Sequence, residues 1–379
     1  ASKYSGSTNA YKNAIGTSWA IGMRDFEALK KEQQERLLEW AIENNKPEYI
    51  EALRTIEDIV EERADLRYRS WMLDEGILRG IEFSAIPLNT VDSLTIALSD
   101  NNSLSKDRYM FQLMADYRKF ADKDYNSAVD SKIAKVMLEE YLEFVPHENI
   151  PDALRAIDND FEGDVAAYVD YLIDNSIFGS EENMNDFISG NHTVDELNND
   201  PMINFAQSVK KESLQLREAL STYDNKFDQT RKVYVQGMLE MDGPYTYFPD
   251  ANLTLRLSYG QVKGYEARDC VQYGYQTTMD GIMEKEDPDN WEFVVPDKLK
   301  ELYQAKDFGP YQLANGQMPV NFAASTHTTG GNSGSPVMNG DGELIGINFD
   351  RNWEGVGGDI QFLPDYQRSI IVEDRKSVV

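Results

Sequence analysis

The chain has 379 residues, enough for two or three domains, and its 66 acidic against 37 basic residues give a formal charge of −29. That excess excludes nucleic acid and anionic membrane surfaces as partners, because their phosphates would repel it. No run is apolar for the length of a membrane span, and the single cysteine, Cys270, excludes an internal disulfide framework. A small, buried apolar role is expected for Cys270.

The chain opens on Ala1-Ser-Lys-Tyr-Ser5 with no initiator methionine, charged start or apolar signal core, and closes on Asp374-Arg-Lys-Ser-Val-Val379. A piece of a longer protein is therefore expected. Residues 1 to about 250 read as helix. Pro47 stands where a first-turn proline belongs, ahead of Glu48-Tyr-Ile-Glu-Ala-Leu53. Ile133, Met137 and Tyr141 share a face with Val136 beside them, and Phe205, Val209, Leu216 and Leu220 form a second stripe opposite lysine and glutamate. Breaks are expected at Pro87, near Pro146 and Pro151, at Gly179 and at Gly243-Pro244. Such stripes suit helices that pack on one another; helices offered to a partner are the alternative.

From Ala251 the period changes to two. Leu253, Leu255, Leu257 and Tyr259 alternate with Asn252, Thr254, Arg256 and Ser258, which predicts a half-buried strand. Further strands are predicted at 318–323, 336–338, 343–349, 360–362 and 369–372, with a hairpin turn at Asn339-Gly-Asp-Gly342 and one short helix at 296–303. The fold class is α+β: a large all-helical domain over 1–250, then a β-barrel lobe over 251–379.

Within that lobe lies Thr328-Thr-Gly-Gly-Asn-Ser-Gly-Ser-Pro-Val337, a glycine-flanked serine in the setting used by trypsin-fold serine peptidases. A nucleophilic hydroxyl must stand clear of its own backbone, and glycine at 330, 331 and 334 permits the turn this requires. The amides of Gly331 and Ser333 would form an oxyanion hole. Ser333 is the candidate nucleophile; Ser335 is the second candidate, set back because Pro336 follows it. A glycine-rich loop before a strand is the other reading of the same residues. A serine also needs a base. Of the three histidines, His147 and His192 stand in loops between acidic helical segments, where capping or exposed roles are expected. His327 leads into the elbow and is expected to line the site. No base is evident, so either the enzyme is degenerate or this chain is the C-terminal part of a longer one.

Thr326-His-Thr-Thr-Gly-Gly-Asn-Ser-Gly-Ser-Pro336, then Gly346-Ile-Asn-Phe-Asp-Arg-Asn-Trp-Glu-Gly355, resembles the bacterial serine exopeptidases called dipeptidyl peptidases 7 and 11, in the Asp/Glu-specific form. So do Gly281-Ile-Met-Glu-Lys-Glu-Asp-Pro288, Ala251-Asn-Leu-Thr-Leu-Arg-Leu257 and Ser5-Gly-Ser-Thr-Asn-Ala-Tyr-Lys-Asn13. The resemblance implies a trypsin-like double barrel interrupted by a helical domain that caps the active site. The catalytic histidine and aspartate would lie in a first barrel, absent from this chain, which alone would be inactive. By the same resemblance Asp350 and Asn9 bind the substrate's free α-amine, an ammonium that a carboxylate suits. Arg351 would wall the primary specificity pocket and select aspartate or glutamate before the cleaved bond, through a planar fork that matches a carboxylate. The implied partners are oligopeptides with a free N-terminus, with no cofactor or metal. A homodimer and a periplasmic or secreted location are implied in the same way. A glutamyl endopeptidase and a catalytically inactive helical peptide-binding protein are the alternatives. The long helical region and Asp350 speak against the endopeptidase, which has no ammonium to bind.

Overall fold

A computed structural model describes residues 12–19, 25–99, 103–123, 125–190, 193–247 and 252–373. The chain forms two compact units: Leu37–Thr246, and Ala1–Arg36 together with Tyr247–Val379. A single boundary near residue 250 is expected from the change of period, whereas residues 1–36 group with the C-terminal unit.

Helices follow one another as α1 (12–19), α2 (Phe26–Glu43), α3 (Pro47–Glu62) and α4 (Ala64–Trp71), which runs on into a π-helical stretch, Met72–Leu78. Then come α5 (Ala85–Ser99), α6 (Ser103–Lys123), α7 (Ser127–Phe144), α8 (Ala156–Phe161), α9 (Val165–Asn175), α10 (Glu181–Ser189), α11 (Val194–Asn198) and α12 (Pro201–Asp242). Their starts are written locally. Asn126, Asp164, Ser180 and Asp200 each accept a hydrogen bond from the amide three residues on, capping α7, α9, α10 and α12. Proline stands in the first turn of α3 and α12, where its missing N–H costs nothing. Pro146 and Pro151 each precede a 3-10 turn, and Gly179 separates α9 from α10. Pro87 does not interrupt a helix; it lies in the first turn of α5.

The expected stripe Phe205, Val209, Leu216 and Leu220 is buried along α12, with Met202 and Ile203 beside it. Most of it joins Leu73, Ile77, Leu94, Leu113, Leu138 and Tyr141 in one apolar core. In α7 the buried edge is Asp130, Ala134, Leu138 and Tyr141, while Val136 is exposed, so the helix is rotated from the face expected of it. Asp130 explains this. Its carboxylate is buried and accepts from the amides of Glu82 and Phe83, both at 2.9 Å, which holds that side of α7 inward.

The second unit carries a hairpin, β1 (Tyr265–Arg268) with β2 (Val271–Tyr273), then β3 (Gln276–Thr278), α13 (Met279–Glu284), α14 (Asp297–Ala305), β4 (Pro319–Ala324), β5 (Pro336–Met338), β6 (Leu344–Arg351) and β7 (Ser369–Glu373). The last five strands form one antiparallel sheet in the order β3-β4-β7-β6-β5. Four predicted strands and the predicted short helix coincide with β4, β5, β6, β7 and α14. The hairpin turn is also present: Asn339 accepts from the amides of Asp341 and Glu343, and Gly342 takes a φ of 83°.

Three expectations are corrected. Residues 253–259 are not a strand. They make no ladder, Leu253 has a φ of 68°, and Leu253, Leu255, Leu257 and Tyr259 are fully or almost fully exposed. Alternation describes a ribbon with one apolar face, and among the described residues no strand lies beside it to accept its backbone bonds. Residues 360–362 are irregular, since the chain leaves β6 into a 3-10 stretch, Trp353–Asp359. Cys270 is exposed, because it sits at a φ of 61° in the turn joining β1 to β2.

Candidate active site

The elbow between β4 and β5 is built on two glycines. Gly331 and Gly334 have φ of 98° and 82°, a region closed to residues with a Cβ at low cost. Gly330 takes no such angle. Asn332 clamps the loop from inside: its side-chain oxygen accepts from the Thr329 amide at 3.0 Å, and its carbonyl accepts from Ser335 N at 3.0 Å. Gly334 N donates to Asn348 O at 2.8 Å and Asn348 N returns a bond to Ser335 O at 2.9 Å, sewing the elbow onto β6. Ser333 is left exposed at the tip, and its hydroxyl donates to the carbonyl of Phe349 at 3.2 Å.

That carbonyl sits at an irregularity. Asn348 pairs with Ile371 and Asp350 with Ile370, so Phe349 is an extra residue in β6. A bulge re-aims the side chains after it. The elbow serine is thereby bonded to the residue immediately before Asp350 and Arg351. Asp350 is exposed, with one oxygen accepting from the Arg351 amide at 2.8 Å. Arg351 is held by Asp359 through two parallel bonds, Nη1 to Oδ1 and Nη2 to Oδ2, each 2.9 Å. Hydrogen bonds from the Arg351 guanidinium hold the Asp359 carboxyl below its ordinary value of 3.8 against an opposing effect of burial, and the positive charge of the guanidinium adds to them.

Arg351 lines a small hollow with Thr326, Thr328, Gly355, Phe362, Gln367 and Arg368. The far wall is a polar knot. Arg368 is 3% exposed and donates to the carbonyls of Lys263, Gly264, Pro364, Asp365 and Gln367, spending its whole fork on backbone. Buried Asn352 accepts from Arg368 N at 2.7 Å and donates to Tyr366 O at 2.8 Å. Ser369 ties in Thr326 and Thr328 at 2.8 and 2.7 Å. On the other side of the 3-10 stretch, α1 packs so closely that a Cβ on Gly16 would fall 2.6 Å from the Trp353 ring.

A model of the family described as peptidase S46 matches residues 1–378. The chain belongs to the peptidase S46 family. An Asp/Glu-specific dipeptidyl-peptidase of Porphyromonas gingivalis is 54% identical over 373 residues, covering 98% of this chain and 52% of the relative. A dipeptidyl-peptidase 7 of Phocaeicola vulgatus is 42% identical across 99% of this chain and 52% of its own length. The crystal structure of Porphyromonas endodontalis DPP11 in complex with the dipeptide Arg-Glu matches with a TM-score of 0.89 at 44% identity, over 98% of this chain and 53% of that one. The chain thus spans about half the length of the curated relatives it matches.

Within this S46 chain the structure brings Ser333, Gly331, Asp350 and Arg351 onto one elbow and the end of one strand. Asn9 lies outside the described residues, as does His192. His147 is in the helical unit, its Nε2 paired with Asp158 at 2.8 Å. His327 packs against Phe362 with ring centroids 4.5 Å apart and the rings tilted by 37°. Burial, then the nearby Arg256, lower its pKa from 6.5, and Arg351 pushes the same way against Asp359. Among the described residues Ser333 bonds the Phe349 carbonyl and no imidazole. Sequence reasoning missed Asp359, Phe362 and the Ser369 knot. For Asp359 the one available signal was an acidic residue closing a glycine-rich run shortly after the arginine.

Proposed function

We propose that this chain supplies the nucleophile, the oxyanion donors and the specificity pocket of a serine dipeptidyl peptidase that releases dipeptides ending in aspartate or glutamate. Ser333 Oγ attacks the carbonyl of the substrate's second residue and passes its proton to the base, and the amides of Gly331 and Ser333 stabilise the oxyanion that forms. The peptide amine leaves with a proton, and water then releases the dipeptide from the acyl-enzyme. Asp350, with Asn9, pairs with the substrate's α-ammonium, which limits cleavage to peptides with a free N-terminus. Arg351 pairs with the side-chain carboxylate, a local cation set against a chain charge of −29.

The observation that carries this reading is the bond from Ser333 Oγ to Phe349 O, which ties the elbow serine to the strand end bearing Asp350 and Arg351. The base and its orienting carboxylate lie outside these 379 residues, in the half of the family's length that this chain does not span. On this reading the five-stranded sheet is part of the second barrel of a trypsin-like pair and the helical unit is the cap. The enzyme works without cofactor or metal, as a homodimer, in the periplasm or outside the cell.

The test is covalent labelling. In the intact enzyme a serine-reactive fluorophosphonate should attach to Ser333, and Ser333→Ala should abolish labelling and lower turnover on the order of a thousandfold or more, with the fold unchanged. The isolated 379-residue chain should not turn over peptides. A label on Ser335, or turnover by the isolated chain, would overturn the assignment.

A further inference from the structure

We infer that Asp359 is a positioning residue that holds the Arg351 guanidinium in the plane needed to receive the substrate's side-chain carboxylate. The inference rests on the acid-selecting role of Arg351 proposed above. An arginine side chain has many rotamers, and a free one at the end of a strand would sample many orientations. Here it does not. The Asp359 carboxylate takes both terminal nitrogens at 2.9 Å, an end-on pair that fixes plane and direction together. A guanidinium has a second bidentate edge, made by Nε–H and the outer hydrogen of a terminal nitrogen. Among the described residues that Nε makes no hydrogen bond, so this edge is available for a second carboxylate.

Asp359 is itself fixed. It closes the 3-10 stretch whose first turn is pinned by Gly355 N to Asn352 O at 2.9 Å, and Ile360 N bonds Gly357 O at 3.0 Å. Gly358 lies against Gln367, where a Cβ would fall 2.9 Å from the side-chain oxygen and would have to push it aside. Asn352 and Gln367 belong to the polar knot that anchors the loop to β7. The chain of support runs from a buried scaffold through a short closed loop to a carboxylate, and from there to the guanidinium. Arg351, which lines the hollow, is 23% exposed in its side chain and Asp359 57%, so solvent and a ligand can reach the pair.

The experiment uses the intact enzyme and matched dipeptidyl substrates ending in Asp, Glu and Leu. Asp359→Ala should lower kcat/KM for the two acidic substrates on the order of tenfold, chiefly through KM, and leave the leucine substrate unchanged. Asp359→Asn keeps one acceptor for the guanidinium and should lose only about threefold. In an Arg351→Gly background, Asp359→Ala should have no further effect on acid preference. Equal loss on the leucine substrate would make the role merely structural and overturn the inference. A gain on acidic substrates would overturn it too, by showing that Asp359 competes with the ligand. If Arg351→Gly removes acid preference and Asp359→Ala does not reduce it, only this inference falls. If Arg351→Gly keeps acid preference, the specificity reading beneath it falls.

Discussion

The helical unit and the sheet unit are held together by different means. Leu37–Thr246 closes around a continuous apolar cluster in which Leu73, Leu138, Tyr141 and Phe205 are essentially inaccessible, and ion pairs such as Lys46–Glu240, Lys135–Asp170 and Lys211–Asp152 lie near the surface. The sheet's cluster is small, with Phe322, Ala324 and Ile371 at its centre. Around it, Arg368, Asn352, Asn348 and Ser369 are buried and bonded chiefly to backbone carbonyls and amides. Apolar packing is non-directional, whereas hydrogen bonds fix angles as well as distances. The unit that carries the proposed nucleophile Ser333, with Asp350 and Arg351, is the one richer in directional contacts.

That contrast can be broken in either unit. Phe205→Ala should cost about 3–5 kcal/mol in urea unfolding of the helical unit, through lost burial and the cavity left behind. Arg368→Met preserves bulk and removes the donors to five carbonyls, and should cost about 2–4 kcal/mol because buried acceptors are left unmade. A neutral Arg368→Met would show that the sheet unit, too, rests on apolar packing. The smallest effect concerns His327. Its folded pKa lies below 6.5, so the unfolded chain takes up the proton first; the stabilisation is present above that value and lost as pH falls through the folded one. Thermal unfolding between about pH 7.5 and pH 5 should therefore fall more steeply for the native chain than for His327→Gln. Parallel curves would remove His327 from the account. Asp359 titrates lower still, below 3.8, and leaves this window clear.

The two units also differ in what could be read in advance. Helical stripes were legible because a helix buries residues spaced by its own period, and the one misread face, on α7, was turned by Asp130, whose partners Glu82 and Phe83 lie far off in sequence. Among the strands β6 alternates in burial through its middle, whereas β4 is buried or half-buried throughout. The ribbon 253–259 shows the limit of that logic, since alternation tells which face wants cover but not whether a strand lies beside it. In the site, Gly331 and Gly334 were legible because positive φ demands glycine. Asp359, Arg368 and Ser369 were not, because their roles come from partners that only the closed sheet brings near.

The most direct test of the central claim is kcat/KM for matched dipeptidyl substrates ending in Asp, Glu, Leu and Phe, measured on the intact enzyme and on Arg351→Gly. The account predicts that the native enzyme prefers the acidic pair on the order of a hundredfold or more, and that Arg351→Gly abolishes this preference and admits the apolar pair. An Arg351→Gly enzyme that still prefers aspartate and glutamate by the native margin would contradict it.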